Sequence, residues 1–281
     1  MRFAYVNGRF FPHGEASIHV EDRGFQFADA VYEVWSVRKG ELMDADGHFA
    51  RLERSLGELR ITAPRSRAAL EHIIGELLRR NRIRNGLVYL QISRGQARRD
   101  HAFPKQAVTP TIVLTCKRLD LAAADARAQC GIAVITVPDQ RWARCDIKTV
   151  NLLPNVLAKQ AAHEAGAVEA WQVDRDGRVT EGSSTNAWIV TKAGKLVTRQ
   201  ADQGILHGIT RARIIKCAQD VGLEIEERGF TPQEAYEARE AFLTSATSFV
   251  TPVVLIDNHI IANGEPGSLT LSLRQAYLGE A

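Results

Sequence analysis

One lysine is the strongest candidate for covalent chemistry in this sequence. Lys148 lies in the segment 141–155, which follows an apolar, β-branched stretch at 131–137 that is typical of a buried strand. A lysine amine in a pocket of low polarity can attack a carbonyl carbon, as Schiff-base lysines do. A lone lysine is more often a solvated surface residue. The interpretation therefore depends on which other groups accompany it.

Three further groups have the chemistry to complete a site around that lysine. Glu181 ends a predicted strand just before a Gly-Ser-Ser turn. Thr210 begins a predicted helix that runs to Val221, and the free amides at such an end attract anions, although Thr210 could equally be an ordinary N-cap. The predicted strand at 241–248 ends in hydroxyls and small residues, which also suit a phosphate.

These groups are the ones needed to hold pyridoxal phosphate. That cofactor carries an aldehyde, a phosphate and a pyridine nitrogen that must stay protonated for the ring to accept electrons. A neighbouring carboxylate raises the pKa of this nitrogen because opposite charge favours the protonated form. Glu181 is the candidate for that carboxylate.

Taken in order, eight segments resemble the class IV, or fold type IV, pyridoxal-phosphate aminotransferases, and most of all the D-amino acid transaminases among them. They span nearly the whole chain: 21–27, 31–34, 48–52, 99–104, 146–148, 181–186, 204–211 and 245–252. The resemblance implies an α/β (α+β) fold of two domains with the cofactor between them. Together with a stretch of small residues, it predicts an N-terminal domain at 1–118, a connection at 119–130 and a C-terminal domain at 131–281 that carries the lysine.

The resemblance also implies a role for each residue that binds the cofactor. Lys148 is expected to bind the aldehyde carbon covalently and to move protons during the reaction. Glu181 is expected to pair with the pyridine nitrogen. Arg51, with Ile209 and Thr210, is expected to hold the phosphate.

Two further positions complete the expected phosphate site, and three positions depart from the family pattern. Ser245 and Ala246 are expected to contribute their amides, but Ala246 replaces the family's usual threonine, and the hydroxyl of Thr247 is a possible substitute. Ala28 and Ala30 stand where glycines are usual, which could reshape the substrate pocket.

Tyr32, Arg99 and His101 resemble the carboxylate-binding group that separates D-amino acid transaminases from their L-branched-chain relatives. In the family, the arginine and the histidine come from the neighbouring subunit, which implies a homodimer with a shared substrate site. A guanidinium suits an α-carboxylate because it can donate two parallel hydrogen bonds. The implied reaction is ping-pong transfer from a D-amino acid to 2-oxoglutarate or pyruvate.

Other functions remain open at this point. Within the fold they are an (R)-selective amine transaminase, a branched-chain L-aminotransferase and an aminodeoxychorismate lyase. A pyridoxal-phosphate carrier or binding protein without activity is the alternative from another class. A simple amine has no carboxylate, so an amine transaminase would not need Arg99 and His101.

Composition limits the class of protein further. The chain has 281 residues and a formal net charge of +3, which is too small to indicate nucleic acid. It has no apolar run long enough for a signal peptide or a membrane span. Its four cysteines are widely separated and lack the spacing of metal ligands. We therefore expect a cytoplasmic protein with reduced thiols, no metal, no membrane contact and no nucleic-acid partner.

Local patterns predict several elements. Asn7-Gly8 between two short apolar runs predicts a β-hairpin. Alternation at 31–38 predicts a strand that turns Tyr32 and Glu33 to opposite faces. Helical periodicity predicts helices at 48–59 and 66–80.

Overall fold

A computed structural model describes residues 2–279, which divide into two compact units. The first unit contains the described residues up to Asp120 and the short segment Ile147–Asn151. The second contains Leu121–Asp146 and the described residues from Leu152 onward. Lys148 therefore belongs to the first unit, although we expected it in the domain at 131–281.

The first unit is built on a six-stranded sheet of order β2-β1-β6-β5-β3-β4, in which all neighbouring strands are antiparallel. Its strands are β1 (Phe3–Val6), β2 (Arg9–Pro12), β3 (Ala30–Arg38), β4 (Glu41–Leu42), β5 (Gly86–Ser93) and β6 (Thr111–Arg118). Its helices are α1 (Arg23–Phe27), α2 (Ala45–Glu58) and α3 (Arg67–Asn81), with a 3-10 turn at His13–Glu15.

The second unit is built on a mixed nine-stranded sheet of order β12-β11-β10-β13-β14-β7-β8-β9, with β15 paired to β14. Its strands are β7 (Ile132–Pro138), β8 (Glu169–Val173), β9 (Val179–Gly182), β10 (Asn186–Val190), β11 (Leu196–Thr198), β12 (Ile225–Glu227), β13 (Glu240–Ser245), β14 (Phe249–Ile256) and β15 (His259–Ile260). Its helices are α4 (Leu121–Cys130), α5 (Leu153–Glu164), α6 (Ile209–Asp220), α7 (Pro232–Tyr236) and α8 (Ser268–Leu278).

The predicted hairpin at Asn7-Gly8 is confirmed. Val6 pairs with Arg9, and both turn residues have positive φ, 47° and 100°, as a tight two-residue turn requires. The helix predicted at 48–59 begins one turn earlier, at Ala45, where Asp46 adds a favourable charge to the first turn.

The expected connection at 119–130 is mostly helix α4, which belongs to the second unit. Small residues suggested a linker because they bury little surface. Ala124 and Ala128 are nevertheless buried, four residues apart on one face of that helix. Small residues therefore mark a packed helix here and not a linker.

Each unit has its own core. In the first, Trp35 of β3 packs against Phe49 of α2, with 5.1 Å between ring centroids. In the second, Trp171 of β8 packs edge-on against Phe230 at 5.8 Å. Within residues 2–279, no helix has both the length and the apolar content needed to cross a membrane.

Candidate active site

The segment around Lys148 is held by main-chain hydrogen bonds to β3. The Lys148 carbonyl accepts a hydrogen bond of 3.0 Å from the Tyr32 amide, and the amide of Val150 donates to the Ala30 carbonyl at 3.2 Å. The Lys148 amide donates to Ser55 Oγ at 3.4 Å. These bonds to β3 and α2 explain why the segment belongs to the first unit.

The Lys148 amine lies against an aromatic ring. Nζ is 4.2 Å from the centroid of the Tyr32 ring, and the lysine is half-buried. Tyr32 in turn lies 5.6 Å from the ring of Tyr89 on β5. Tyr89 donates a hydrogen bond of 2.6 Å to Gln91 Oε1, and burial raises the pKa of Tyr89 to about 12. The amine therefore faces an aromatic surface backed by a neutral phenol.

Glu33 lies on the opposite face of β3 from Tyr32, as the alternation predicts. It is fully buried and forms a cluster with two residues of α2. Arg51 donates from Nε and Nη2 to the two carboxylate oxygens, both at 2.8 Å. His48 Nδ1 lies 2.7 Å from Glu33 Oε2.

Opposing effects determine the protonation of this cluster. Burial raises the pKa of Glu33, but the Arg51 guanidinium and the hydrogen bond from His48 together outweigh burial and lower that pKa to about 2. For His48, burial lowers the pKa and exceeds the opposite effect of the Glu33 carboxylate. Glu33 is therefore ionised against Arg51 at neutral pH, with a neutral imidazole beside it.

Arg99 and His101 lie in the exposed loop after β5. Both side chains contact the ring of Phe27 at the end of α1: the Arg99 Cζ atom is 5.1 Å from its centroid, and the His101 ring is 5.4 Å away. The structure thus brings Arg99 and His101 to one aromatic support.

In the second unit, Glu181 is buried at the end of β9 with a full set of donors. Arg141 forms a close ion pair with one oxygen through Nη1. The Leu206 amide donates to both oxygens, at 3.0 and 3.1 Å, and Asn186 Nδ2 donates at 2.9 Å. These polar contacts keep this carboxylate oriented and compensate its charge in a buried site.

Arg141 connects Glu181 to a second carboxylate. It donates to Asp139 from Nε at 3.0 Å and from Nη2 at 2.7 Å. Burial lowers the pKa of Arg141, but the charges of Glu181 and Asp139 outweigh burial and raise it. For Asp139, burial raises the pKa and the hydrogen bonds from Arg141 lower it, with a net lowering. Arg141 and Asp139 are therefore both charged at neutral pH.

Helix α6 begins at Ile209 after Gly208, whose backbone is extended and offers no side-chain cap. A Cβ atom on Gly208 would overlap Asn186 Oδ1, so only glycine allows Asn186 to reach Glu181. Thr210, in the first turn, is 2% exposed, and its hydroxyl has no hydrogen-bond partner among residues 2–279. An unpaired buried hydroxyl beside uncapped helix amides fits a phosphate oxygen.

Ser245 ends β13 and holds the turn that follows. Its Oγ accepts hydrogen bonds from the amides of Thr247 and Ser248, at 3.3 and 3.1 Å, and lies 2.6 Å from Ser248 Oγ. The Ser245 hydroxyl thus maintains the turn around Ala246.

The structure groups the expected residues into two sets, one in each unit. The first unit contains Tyr32, Arg51, Arg99, His101 and Lys148, and the second contains Glu181, Ile209, Thr210, Ser245 and Ala246.

Several residues that support these sets have no role that follows from the sequence alone. They are Glu33, Tyr89, Arg141, Asn186 and Gly208. Tyr89 lies on the same face of the sheet as Tyr32, because the β3–β5 register pairs it with Val34. That pairing is visible in the structure and not in the sequence. Arg141 follows a buried strand in the sequence, and a charged residue at that position is only a weak indication of a site.

Comparison with known proteins gives consistent results. Residues 30–256 match the family described as amino-transferase class IV. The chain is 41% identical to the D-alanine aminotransferase of Bacillus licheniformis over 270 residues, or 96% of this chain and 94% of the relative. It is 38% identical to the D-alanine aminotransferase of Staphylococcus haemolyticus over 277 residues, or 99% of this chain and 97% of that relative.

Two solved structures share the architecture. The branched-chain amino acid aminotransferase of Escherichia coli aligns with a TM-score of 0.90 and 22% identity, over 99% of this chain and 94% of that one. The T.th. branched-chain amino acid aminotransferase, solved with pyridoxamine 5'-phosphate, aligns with a TM-score of 0.89 and 27% identity, over 100% and 95%.

Proposed function

We propose, because this chain belongs to the class IV aminotransferases, that it transfers the amino group of a D-amino acid to a 2-oxo acid with pyridoxal phosphate as cofactor. The expected α/β fold type IV is the fold of the solved relatives. The observation that carries the proposal is the Lys148 amine over the Tyr32 ring, in a chain 38–41% identical to D-alanine aminotransferases over nearly its whole length.

The described residues fit the cofactor. The unpaired buried hydroxyl of Thr210 and the uncapped start of α6 at Ile209 suit its phosphate, and we assign Arg51 to the same group. The amides of Ser245 and Ala246 lie in a turn that the Ser245 hydroxyl maintains, and we assign them to it as well.

We assign Glu181 to the pyridine nitrogen of the cofactor. Its carboxylate is buried and held by Arg141, Asn186 and the Leu206 amide, so its direction is set before any ligand binds. Preorganised charge of this kind stabilises a developing opposite charge without further rearrangement. When bound, the cofactor supplies the aldehyde that takes up the amino group and a ring that accepts electrons.

Lys148 carries the proton steps. Its amine holds the cofactor between turnovers, removes the proton from the α-carbon of the donor, and returns it to complete the transfer. The main-chain bonds to Tyr32 and Ala30 keep the lysine beside β3 while its side chain moves. The second half-reaction returns the amino group to a 2-oxo acid, which predicts ping-pong kinetics.

We assign Tyr32, Arg99 and His101 to the α-carboxylate of the substrate. The guanidinium and imidazole share the Phe27 support, and we propose that one carboxylate binds to both. As in the family, we propose that Arg99 and His101 of one subunit serve the site of its partner in a homodimer.

An apolar stripe on α5 supports that dimer. Leu153, Val156 and Leu157 stand at helical spacing and are 67%, 58% and 56% exposed. Three large apolar side chains on one face of a helix are unfavourable in water and are typical of a surface that a partner covers. We also propose a cytoplasmic location, which the free thiols of the four cysteines support.

A half-reaction tests the function. The purified, cofactor-loaded protein is mixed separately with D-alanine, L-leucine and (R)-1-phenylethylamine, and the visible absorbance of the lysine-bound cofactor is followed. Loss of absorbance with D-alanine, but not with L-leucine, is expected. Loss only with L-leucine or only with the amine would contradict the D-amino acid assignment while leaving the family intact. Lys148→Ala is the control, since it cannot bind the cofactor covalently.

A further inference from the structure

The loop that carries Arg99 and His101 is exposed in its side chains but fixed in its main chain by one buried arginine. Arg23, in the first turn of α1, is 2% exposed. It donates from Nη1 to the Asp100 carbonyl at 2.6 Å and from Nη2 to the His101 carbonyl at 3.4 Å. These carbonyls belong to the two peptide planes on either side of the His101 Cα. Fixing both planes therefore fixes the direction of the Cα–Cβ bond from which the His101 side chain extends.

A second buried arginine holds Arg23 in place through a shared carboxylate. Arg23 Nε donates to Asp29 Oδ2 at 2.8 Å, and Arg94 donates to both oxygens of Asp29, at 2.7 and 2.9 Å. Arg94 Cζ also lies 3.7 Å from the centroid of the Phe103 ring, so it holds the far end of the same loop. The loop is thus attached to the sheet at two points by a buried ionic cluster.

The ring of Phe27 extends this support to the Arg99 side chain. Arg23 Cζ lies 4.8 Å from the centroid of Phe27, and Arg99 Cζ lies 5.1 Å from it. The ring therefore contacts both cations as well as His101. Displacing Arg23 is expected to move the Phe27 ring and both substrate-binding side chains together.

We propose that Arg23 is a positioning residue for recognition of the substrate carboxylate. It sets the directions of Arg99 and His101 by holding two consecutive carbonyls and the Phe27 ring at once. Arginine is required because its planar fork reaches three acceptors in fixed directions, whereas an ammonium is a point charge. This inference rests on the proposed function, in which those two side chains bind an α-carboxylate.

The test is a double-mutant cycle on the full chain loaded with pyridoxal phosphate. Arg23→Lys keeps the charge beside Asp29 and loses the fork. In the wild-type background, we expect it to lower the second-order rate of the half-reaction with D-alanine about tenfold, and in steady state to raise the KM about tenfold with kcat changed less than about twofold. In an Arg99→Ala/His101→Ala background, we expect Arg23→Lys to change the second-order rate of the half-reaction by less than about twofold.

Phe27→Leu gives an independent measurement if the Arg99→Ala/His101→Ala protein reacts too slowly for its rates to be compared. It removes the ring that supports Arg99 and His101 and leaves Arg23 and its carbonyl contacts in place, so the same rise in KM with kcat kept is expected. Arg228→Lys is the matched control. Arg228 also joins a main-chain carbonyl to carboxylates, of Glu226 and Glu234, and its replacement is expected to leave both constants unchanged.

Two results would overturn the inference. One is an equal effect of Arg23→Lys in both backgrounds. The other is a loss of kcat, cofactor absorbance and thermal stability in step with KM, which would indicate a structural role alone. A wild-type enzyme inactive on D-alanine would instead contradict the proposed function, so the two failures are distinguishable.

Discussion

Arg51 donates two hydrogen bonds of 2.8 Å to the carboxylate of Glu33, which is fully buried on the face of β3 opposite Tyr32. The residue proposed to bind a phosphate is thus already oriented by a neighbouring carboxylate. The bidentate geometry fixes the plane of the guanidinium as well as its position.

Glu33→Gln is expected to destabilise the protein by about 3–5 kcal/mol at neutral pH, because it removes the carboxylate that balances the buried Arg51 charge. The pKa of Glu33 is lowered from 4.5 to about 2, so its stabilisation is present above pH 4.5 and is lost as the pH falls toward 2. Chemical denaturation across this range should show the difference between the two proteins shrinking. Glu76→Gln, at a half-buried carboxylate paired with the solvent-exposed Arg79 and Arg80 on α3, is the control and should cost little because water screens these pairs.

Arg141→Gln is expected to shift the acid limb of the rate profile toward higher pH. Removing the guanidinium leaves the buried Glu181 and the half-buried Asp139 without the charge that holds the pKa of Asp139 low. The pH dependence of the half-reaction with D-alanine measures this shift. An unchanged acid limb would show that Arg141 does not control the charge of the site. Arg239→Gln, at an exposed arginine, should leave the profile as it is.

Thr210→Val is expected to weaken the binding of pyridoxal phosphate about tenfold, since it removes one hydrogen bond to a charged group. It should not destabilise the protein without cofactor, because the hydroxyl has no partner there within the described residues. Thr198→Val provides the contrast. Its hydroxyl donates to the Ala187 carbonyl, so it should lower stability without affecting cofactor affinity. Equilibrium dialysis and thermal unfolding measure the two effects.

Ala28→Gly and Ala30→Gly should have opposite effects on stability. Ala28 ends α1 with a φ of 57°, which an L side chain adopts at some cost, so glycine there is expected to stabilise by about 0.5–1 kcal/mol. Ala30 is extended and fully buried, and glycine there is expected to destabilise by about 1 kcal/mol. Urea unfolding of the two variants measures both changes in the free energy of unfolding. Destabilisation by Ala28→Gly would show that the left-handed turn is not strained.

Val156→Asp is expected to convert the proposed dimer to a monomer and to abolish activity, because a charge at the centre of the apolar stripe cannot be buried against a partner. Val221→Asp is the control, at an apolar side chain on the second unit that is 67% exposed and has no such stripe around it in the described region. Light scattering coupled to size-exclusion chromatography measures the mass. A dimeric Val156→Asp protein would place the interface elsewhere.

Local patterns predicted the parts of the fold that depend on neighbours in sequence. The hairpin at Asn7-Gly8 and the alternation that separates Tyr32 from Glu33 needed only turn chemistry and the strand period. Helix α4 was missed because alanine-rich sequence carries little periodic signal. Long-range pairings such as Arg141 with Glu181, forty residues apart, leave no local pattern, since either residue alone resembles an ordinary surface charge.

The same limit applies to Arg23 and to the segment around Lys148. Their partners are main-chain groups: the carbonyls of Asp100 and His101 in one case and the amide of Tyr32 in the other. Every residue type provides a carbonyl, and every type except proline provides an amide N–H. No choice of side chain at those partner positions could have indicated the contact.

The short return of Ile147–Asn151 to the first unit has a practical consequence for dividing this protein. A cut after Asp120 would yield a C-terminal fragment that contains Lys148 but neither Tyr32 nor Ser55, which hold its main chain. The reactive residue would then be separated from the surface that orients it. Fragment complementation or domain exchange with a homologue would therefore have to transfer two stretches of chain to keep the lysine in its setting.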